Sequence, residues 1–202
     1  MFTVRQGALA FAAAGLLFLA YPVLRPYSGG PEDGAAEFAS GLWVVAHLSA
    51  VLGFILLPLG LMALRAGRGT FLAMWFGVGL TLPYYGAEVF GLNAIGLRSV
   101  QDHNPALVDL AQVIRYTPTA VTSFGLGLLL IGLGAVLTAV HVWRSESPRW
   151  SGVPFALGFA LFIPQFFTTP PIRMAHGLLV AVGCVLLAVV LWRRDLPGRQ
   201  DA

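Results

Sequence analysis

Long apolar stretches separated by short polar joints run along the whole chain. A membrane crossing needs about 20 predominantly apolar residues, and by this criterion the pattern predicts six transmembrane helices. Proline and glycine occupy the joints, as turn residues do. The predicted spans cover residues 6–25, 41–64, 71–97, 118–143, 151–169 and 172–192. The expected fold is therefore an all-α, polytopic membrane helical bundle, formed by the whole chain 1–202 as one integral membrane domain.

One polar segment, between the third and fourth spans, carries a helix signal of its own. Asn104 followed by Pro105 is a favourable helix start, since asparagine caps a helix N-terminus and proline suits the first turn. The following turns place apolar residues on one side. We therefore expect a short interfacial helix at about 105–115, lying on the outer membrane face. It would act as a lid or simply connect two spans.

The orientation follows from the distribution of arginine. The first apolar stretch resembles a signal peptide but lacks a small-x-small cleavage site, so an uncleaved first span is expected. With six spans both termini share a side, and eight of the 12 arginines fall on it. The positive-inside rule then predicts cytoplasmic termini, and the expected location is a bacterial plasma membrane. The four outer arginines are Arg25, Arg98, Arg115 and Arg173.

Composition agrees with a membrane location and excludes several function classes. Hydrophobic residues make up 57% of the chain and charged residues 10%, whereas a soluble domain carries about 25% charged residues. The net charge of +3 is scattered, so no nucleic-acid surface is predicted. Cys184 is the single cysteine, which excludes disulfides within the chain, cysteine zinc sites and iron–sulfur clusters.

The strongly polar residues inside the spans share one depth, with His141 as the exception. At 1.5 Å per residue, His47 lies about 9 Å and Glu88 roughly 13 Å below the outer surface. His176 lies about one turn down. Gln165 and Arg173 belong to the same outer half. The sequence therefore predicts a polar layer beneath the non-cytoplasmic surface.

Helical spacing and proline give this layer a shape. Residues three, four or seven positions apart share a helix face, which groups Glu88 with Tyr84 and Tyr85 in the third span. Pro83 and Pro164 each remove a backbone donor and should kink their helices. Kinks at these positions would open an outward-facing wedge. Thr81 and Leu92 are expected on the face of Glu88 as well, while Asn93 should face another neighbour.

Glu88 is the only acid within a predicted span. A charge at mid-membrane costs at least about 2.5 kcal/mol, so such acids usually face the protein interior and have a partner. A structural clamp between helices remains the alternative to a functional acid. The expected partners are His47, His176, Arg173, Tyr84 and Tyr85. The predicted ligand-binding set consists of Tyr84, Tyr85, Glu88, His47, His176, Arg173, Gln165 and Trp43.

No catalytic signature such as HExxH, GxSxG or a P-loop is present in the sequence. We therefore expect a protein that binds or transports a small amphipathic or lipophilic molecule, with Glu88 as a proton-active or head-group-recognising residue. One alternative is a membrane enzyme in which Glu88 and His47 act as acid and base on an isoprenoid-type substrate. Others are a structural or accessory subunit, and a haem or metal protein using His47 and His176.

The expected partners are accordingly membrane lipid and the small ligand, without nucleic acid. A homo-oligomer is left open by the sequence. No cofactor is predicted unless the haem or metal alternative holds.

Overall fold

The computed structural model describes residues 3–27 and 34–194, and all regular structure within these ranges is helical, without a strand. Arg199, one of the eight arginines counted on the side of the termini, lies outside these ranges. The α-helices are α1 Val4–Leu24, α2 Gly34–Ala39, α3 Gly41–Leu64, α4 Arg68–Gly86, α5 Leu92–Gln101, α6 Leu110–Tyr116, α7 Pro118–Ser145, α8 Val153–Ala160, α9 Phe162–Gln165 and α10 Pro170–Arg194.

Four of these helices, α1, α3, α7 and α10, are long and apolar enough to cross a membrane. Their bounds lie within a few residues of four predicted spans. Local capping explains several of these ends. The Ser40 side chain accepts from the Leu42 amide at the start of α3, and Thr117 caps α7, where Pro118 occupies the first turn. Thr3 and Gln6 form a reciprocal capping box at the start of α1.

The other two predicted spans fall on interrupted helices. In the third, a π-helical turn, Ala87–Gly91, joins α4 to α5 without a break in the helical backbone. In the fifth, the helix ends at Ala160 and resumes at Phe162. The break at Leu161 lies three residues before Pro164, which cannot donate a hydrogen bond to the carbonyl of Ala160, and the π-turn begins four residues after Pro83.

The predicted helix at 105–115 is divided too. It begins as a 3-10 turn, Pro105–Asp109, and continues as α6. The Asn104 side chain accepts from the Ala106 amide at 3.2 Å, so the predicted cap is present. The sequence did not predict α2. This helix packs closely against α5 at Gly96, where any side chain would collide with Phe38.

Helix packing forms one layered core. Helix α1 lies between α3 and α10, α4 pairs with α7, and α8 bridges α7 and α10. Five phenylalanines at most 2% exposed fill the centre. They are Phe11, Phe18, Phe54, Phe155 and Phe159. Helices α4 and α7 touch closely, since a Cβ on Gly77 would lie 2.8 Å from the carbonyl of Gly127.

Candidate functional site

Glu88 lies in the π-turn and is 6% exposed. The turn is closed by the amide of Leu92, which donates to the carbonyl of Ala87 five residues earlier. Such a turn inserts one extra residue into the helix and is common at functional sites. It also changes the helical phase beyond Glu88. As a result Leu92 packs with Phe38 and Trp43 instead of sharing a cavity wall with Glu88.

The partner of Glu88 is Arg115 of α6. Its Nε donates to Oε1 at 2.6 Å and its Nη2 donates to Oε2 at 2.7 Å, a forked pair. The guanidinium also lies 5.3 Å from the Phe38 ring and 5.9 Å from the Trp43 ring. Burial by itself would lower the pKa of Arg115, but the bonds and charge of Glu88 outweigh it and the pKa is raised.

His47 adjoins this pair without bonding to it. Its Nε2 lies 3.7 Å from Oε2 of Glu88, beyond hydrogen-bond range. Its Nδ1 lies 2.8 Å from the Trp43 carbonyl, and only a protonated Nδ1 can donate to it. A neutral ring would therefore turn the lone pair of Nε2 towards the carboxylate. A direct bond between His47 and Glu88 requires a second ring proton.

Trp43 connects α3 to the π-turn. Its side chain is fully buried, and its Nε1 donates to the backbone carbonyl of Glu88 at 2.7 Å. Its ring lies 4.1 Å from the His47 ring. Trp43 thus orients both His47 and the backbone that carries Glu88.

These groups border a cavity of about 410 Å³. Aromatic rings line it beside these groups, with Tyr84 stacked on Phe124 at 4.0 Å between ring centres and Phe166 a further 5.7 Å from Phe124. Tyr85 is 2% exposed, and its hydroxyl lies beside that of Tyr21, without good hydrogen-bond geometry. The lining consists of Tyr21, Arg25, His47, Tyr84, Tyr85, Glu88, Arg115, Tyr116, Val121, Phe124, Gly125, Leu128, Ile163, Phe166, Phe167 and Arg173.

The structure does not bring every predicted site residue to this cavity. His176 and Gln165 line a separate cavity of about 10 Å³, room for roughly one water. His176 is held there by the carbonyl of Gly158, 2.7 Å from its Nε2. That bond forms because α8 and α10 touch at Gly158, where a Cβ would lie 2.8 Å from Val180. The expected contact of Glu88 with His176 is therefore absent.

Arg173 borders both cavities but does not bond to Glu88. Its Nε donates to the Thr168 carbonyl at 3.1 Å and its Nη2 to the Phe166 carbonyl at 2.7 Å. These bonds satisfy two carbonyls in the segment between α9 and α10, which have no hydrogen-bond partner within a helix. Asn93 faces a different neighbour from Glu88, as expected, and donates to the Phe38 carbonyl at 2.7 Å.

Sequence reasoning missed Arg115 and Arg25 as cavity residues. Arg115 lies in the predicted interfacial helix. A buried acid needs a cation as its partner, and Arg115 is one of the four outer arginines that could have been considered for this role. The Thr81 hydroxyl donates to the carbonyl of Gly77, one turn earlier in α4.

The potential metal ligands among the described residues do not lie close together. Within residues 3–27 and 34–194, no three His, Cys, Asp or Glu side chains form a cluster suited to a metal ion.

No protein-family model, curated protein or solved structure matches this chain. The geometry of the cavity and its surroundings is thus the basis for assigning a function.

Proposed function

We propose that this chain is an integral membrane protein that binds or transports a small amphipathic or lipophilic molecule in the cavity beside Glu88. The observation that carries the proposal is the composition of the cavity wall. A buried ion pair and stacked aromatic rings line the same cavity. Such a cavity, mostly apolar with a few converging polar groups, is typical of small-molecule sites.

The proposed topology has six crossings. Helices α1, α3, α7 and α10 supply four. The run from α4 through the π-turn to α5 supplies one, and the segment of α8 and α9 supplies the last. The excess of arginine at one side supports cytoplasmic termini in a plasma membrane. In this topology α6 lies on the outer face and the cavity opens outwards.

The Glu88–Arg115 pair favours a role for Glu88 in head-group recognition over a role as a proton donor or acceptor. Both carboxylate oxygens accept bonds from the same guanidinium, and burial of an ion pair is tolerated only with such good geometry. A polar head would lie near this pair. The apolar part of the ligand would lie along Tyr84, Phe124 and Phe166.

An enzyme acting on a lipid-like substrate is the second candidate, favoured by the juxtaposition of His47 and Glu88 at 3.7 Å. Acid–base chemistry would require Glu88 to exchange a bond with Arg115 for one with substrate or His47. Turnover of an isoprenoid-type substrate that is lost in Glu88→Gln would favour this candidate.

The test of binding is photolabelling with a neutral alkyl diazirine in lipid nanodiscs. Gly125 borders the cavity and a Cβ there would contact nothing within 4 Å, so Gly125→Leu should fill the cavity without a clash. Gly79 is equally open but lies outside the cavity, which makes Gly79→Leu the matched control.

We expect saturable labelling of peptides around Tyr84 and Glu88, reduced at least about 10-fold by Gly125→Leu and unchanged by Gly79→Leu. Excess octanol should compete with the saturable part, while lipid-facing labelling provides the internal reference. Equal, non-saturable labelling of both variants would contradict the proposal and leave the cavity as a structural feature of an accessory subunit.

A further inference from the structure

The charges on the cavity wall are unequal. Three guanidinium groups, from Arg25, Arg115 and Arg173, and one carboxylate, from Glu88, line the cavity. Arg115 already neutralises Glu88. Among the described residues, no carboxylate lies within 4 Å of Arg25 or Arg173. Among the described lining residues, three positive charges and one negative charge leave an excess of two positive charges.

Arg25 is held in place by aromatic rings. It follows α1, and its backbone amide donates to the Tyr21 carbonyl at 3.2 Å. Its guanidinium carbon lies 5.0 Å from the Trp43 ring and 5.3 Å from the Tyr27 ring. Its Nε is buried and has no hydrogen-bond partner among the described residues. A buried charged donor without an acceptor is costly, so an acceptor from a ligand would be stabilising.

Arg173 is oriented by backbone instead. The carbonyls of Thr168 and Phe166 fix its guanidinium but carry no net charge that could neutralise it. Arg25 and Arg173 both border the large cavity and the small one beside it. The two arginines that lack a carboxylate partner among the described residues therefore border the same cavities.

A third polar group on the cavity wall lacks a well-formed hydrogen bond. The Tyr85 side chain is 98% buried, and its hydroxyl lies beside that of Tyr21, without good hydrogen-bond geometry. Hydroxyl and guanidinium N–H groups are all donors. A ligand oxygen carrying negative charge would satisfy them, whereas an ammonium group would be repelled by the arginines.

We propose that the ligand is an amphiphile with an oxyanion head, a carboxylate or a phosphate monoester, bound by Arg25 and Arg173. Its apolar tail follows the aromatic wall of Tyr84, Phe124 and Phe166. This assignment rests on the proposed binding function and adds the chemical class of the ligand. Planar guanidinium groups match both kinds of head through paired hydrogen bonds.

The experiment is a competition against the neutral diazirine probe, in nanodiscs of phosphatidylcholine. Octanoate, octyl phosphate, octanol and octylammonium share the same tail and differ only in the head. We expect at least one anion to compete at about 10-fold lower concentration than octanol, with octylammonium the weakest. The stronger of the two anions identifies the carboxylate or the phosphate as the natural head.

Substitutions then locate the head group. Arg25→Gln and Arg173→Gln retain hydrogen-bonding capacity without the charge, and each should remove the preference for the anion while octanol competes as before. Arg98→Gln is the control, because Arg98 pairs with Asp102 on the exposed surface and does not border the cavity. Folding is checked by size-exclusion chromatography, and the head-group series on the unaltered protein needs no variant.

Two results would overturn the inference. Equal competition by octanoate, octyl phosphate and octanol would reject the anionic head while leaving the binding function intact. Preference for octylammonium would assign the head to Glu88 and reject the role of Arg25 and Arg173. If none of the four compounds competes, the proposed binding function fails together with the inference.

Discussion

Two arginine–carboxylate pairs lie in very different surroundings in this molecule. Arg115 and Glu88 join α6 to the π-turn, and Arg194 and Glu146 join the end of α10 to the residue that ends α7. Each pair uses two N–H groups and both carboxylate oxygens. The bonding is therefore alike, and the difference lies in what surrounds each pair.

The pair of Glu146 and Arg194 lies at helix ends and has few other contacts. Arg194 also donates to the Leu64 carbonyl at 3.2 Å, so the pair ties three helix ends together. The Glu88 pair is in the middle of a helical run, against two aromatic rings, an imidazole and a cavity. The comparison teaches that a forked ion pair at helix ends holds those ends together and has no other evident role. Beside a cavity, the same kind of pair also contributes polar groups to the wall that a ligand would contact.

The largest expected effect comes from removing one acid from each pair. Glu88→Ala leaves Arg115 without its counter-ion among buried aromatic rings and should cost about 3 kcal/mol of unfolding free energy. Glu146→Ala should cost about 1 kcal/mol, because Arg194 lies in the last turn of α10, keeps its bond to the Leu64 carbonyl and can turn to solvent. Reversible unfolding in mixed micelles with increasing dodecyl sulfate measures both. Equal losses would remove the distinction between the two pairs.

A double-mutant cycle sharpens the comparison further. Glu88→Leu and Arg115→Leu should each destabilise, but the double variant should recover about 2 kcal/mol, since an apolar replacement of a buried pair is often neutral. The double variant should still fold and should retain the preference for an anionic head, because Arg25 and Arg173 are unchanged. Additive losses, with no recovery, would show that the pair is not energetically coupled.

The smallest of these effects concerns the backbone beneath Glu88. Trp43→Phe keeps an aromatic ring but removes the bond to the Glu88 carbonyl, and we expect a loss of about 1 kcal/mol. Trp75→Phe, at an exposed tryptophan, is the control and should change stability little. The same micelle titration reads out both variants. A Trp43 variant as stable as the control would mean that the π-turn does not depend on this bond.

Local signals in the sequence predicted the helices well where one helix suffices. The interval from Ser40 to Leu64 contains a cap, an unbroken apolar run and a following polar joint, and α3 has the expected bounds. Pro83 and Pro164 marked the places where helices are disturbed. The kind of disturbance was not predictable, because a π-turn near Pro83 and a break at Leu161 follow from how neighbouring helices pack.

The candidate site divides in the same way. Tyr84, Tyr85, Glu88 and His47 border one cavity, as their depth and spacing suggested. Depth alone also placed His176 and Gln165 there, but the contact of α8 with α10 directs them into a separate space. Arg115 was overlooked because it lies in a connecting segment. For such a residue neither the depth in the membrane nor the position on a transmembrane helix face can be read from the sequence, so its neighbours cannot be predicted.

Composition and periodicity were thus sufficient for a helical, apolar chain with a single buried acid, because hydrophobicity and capping act over one or two helical turns. The fold decided which cation reaches that acid and which polar groups remain unpaired. Those contacts join residues far apart in the chain, and helix packing selects them through shape that no single segment contains.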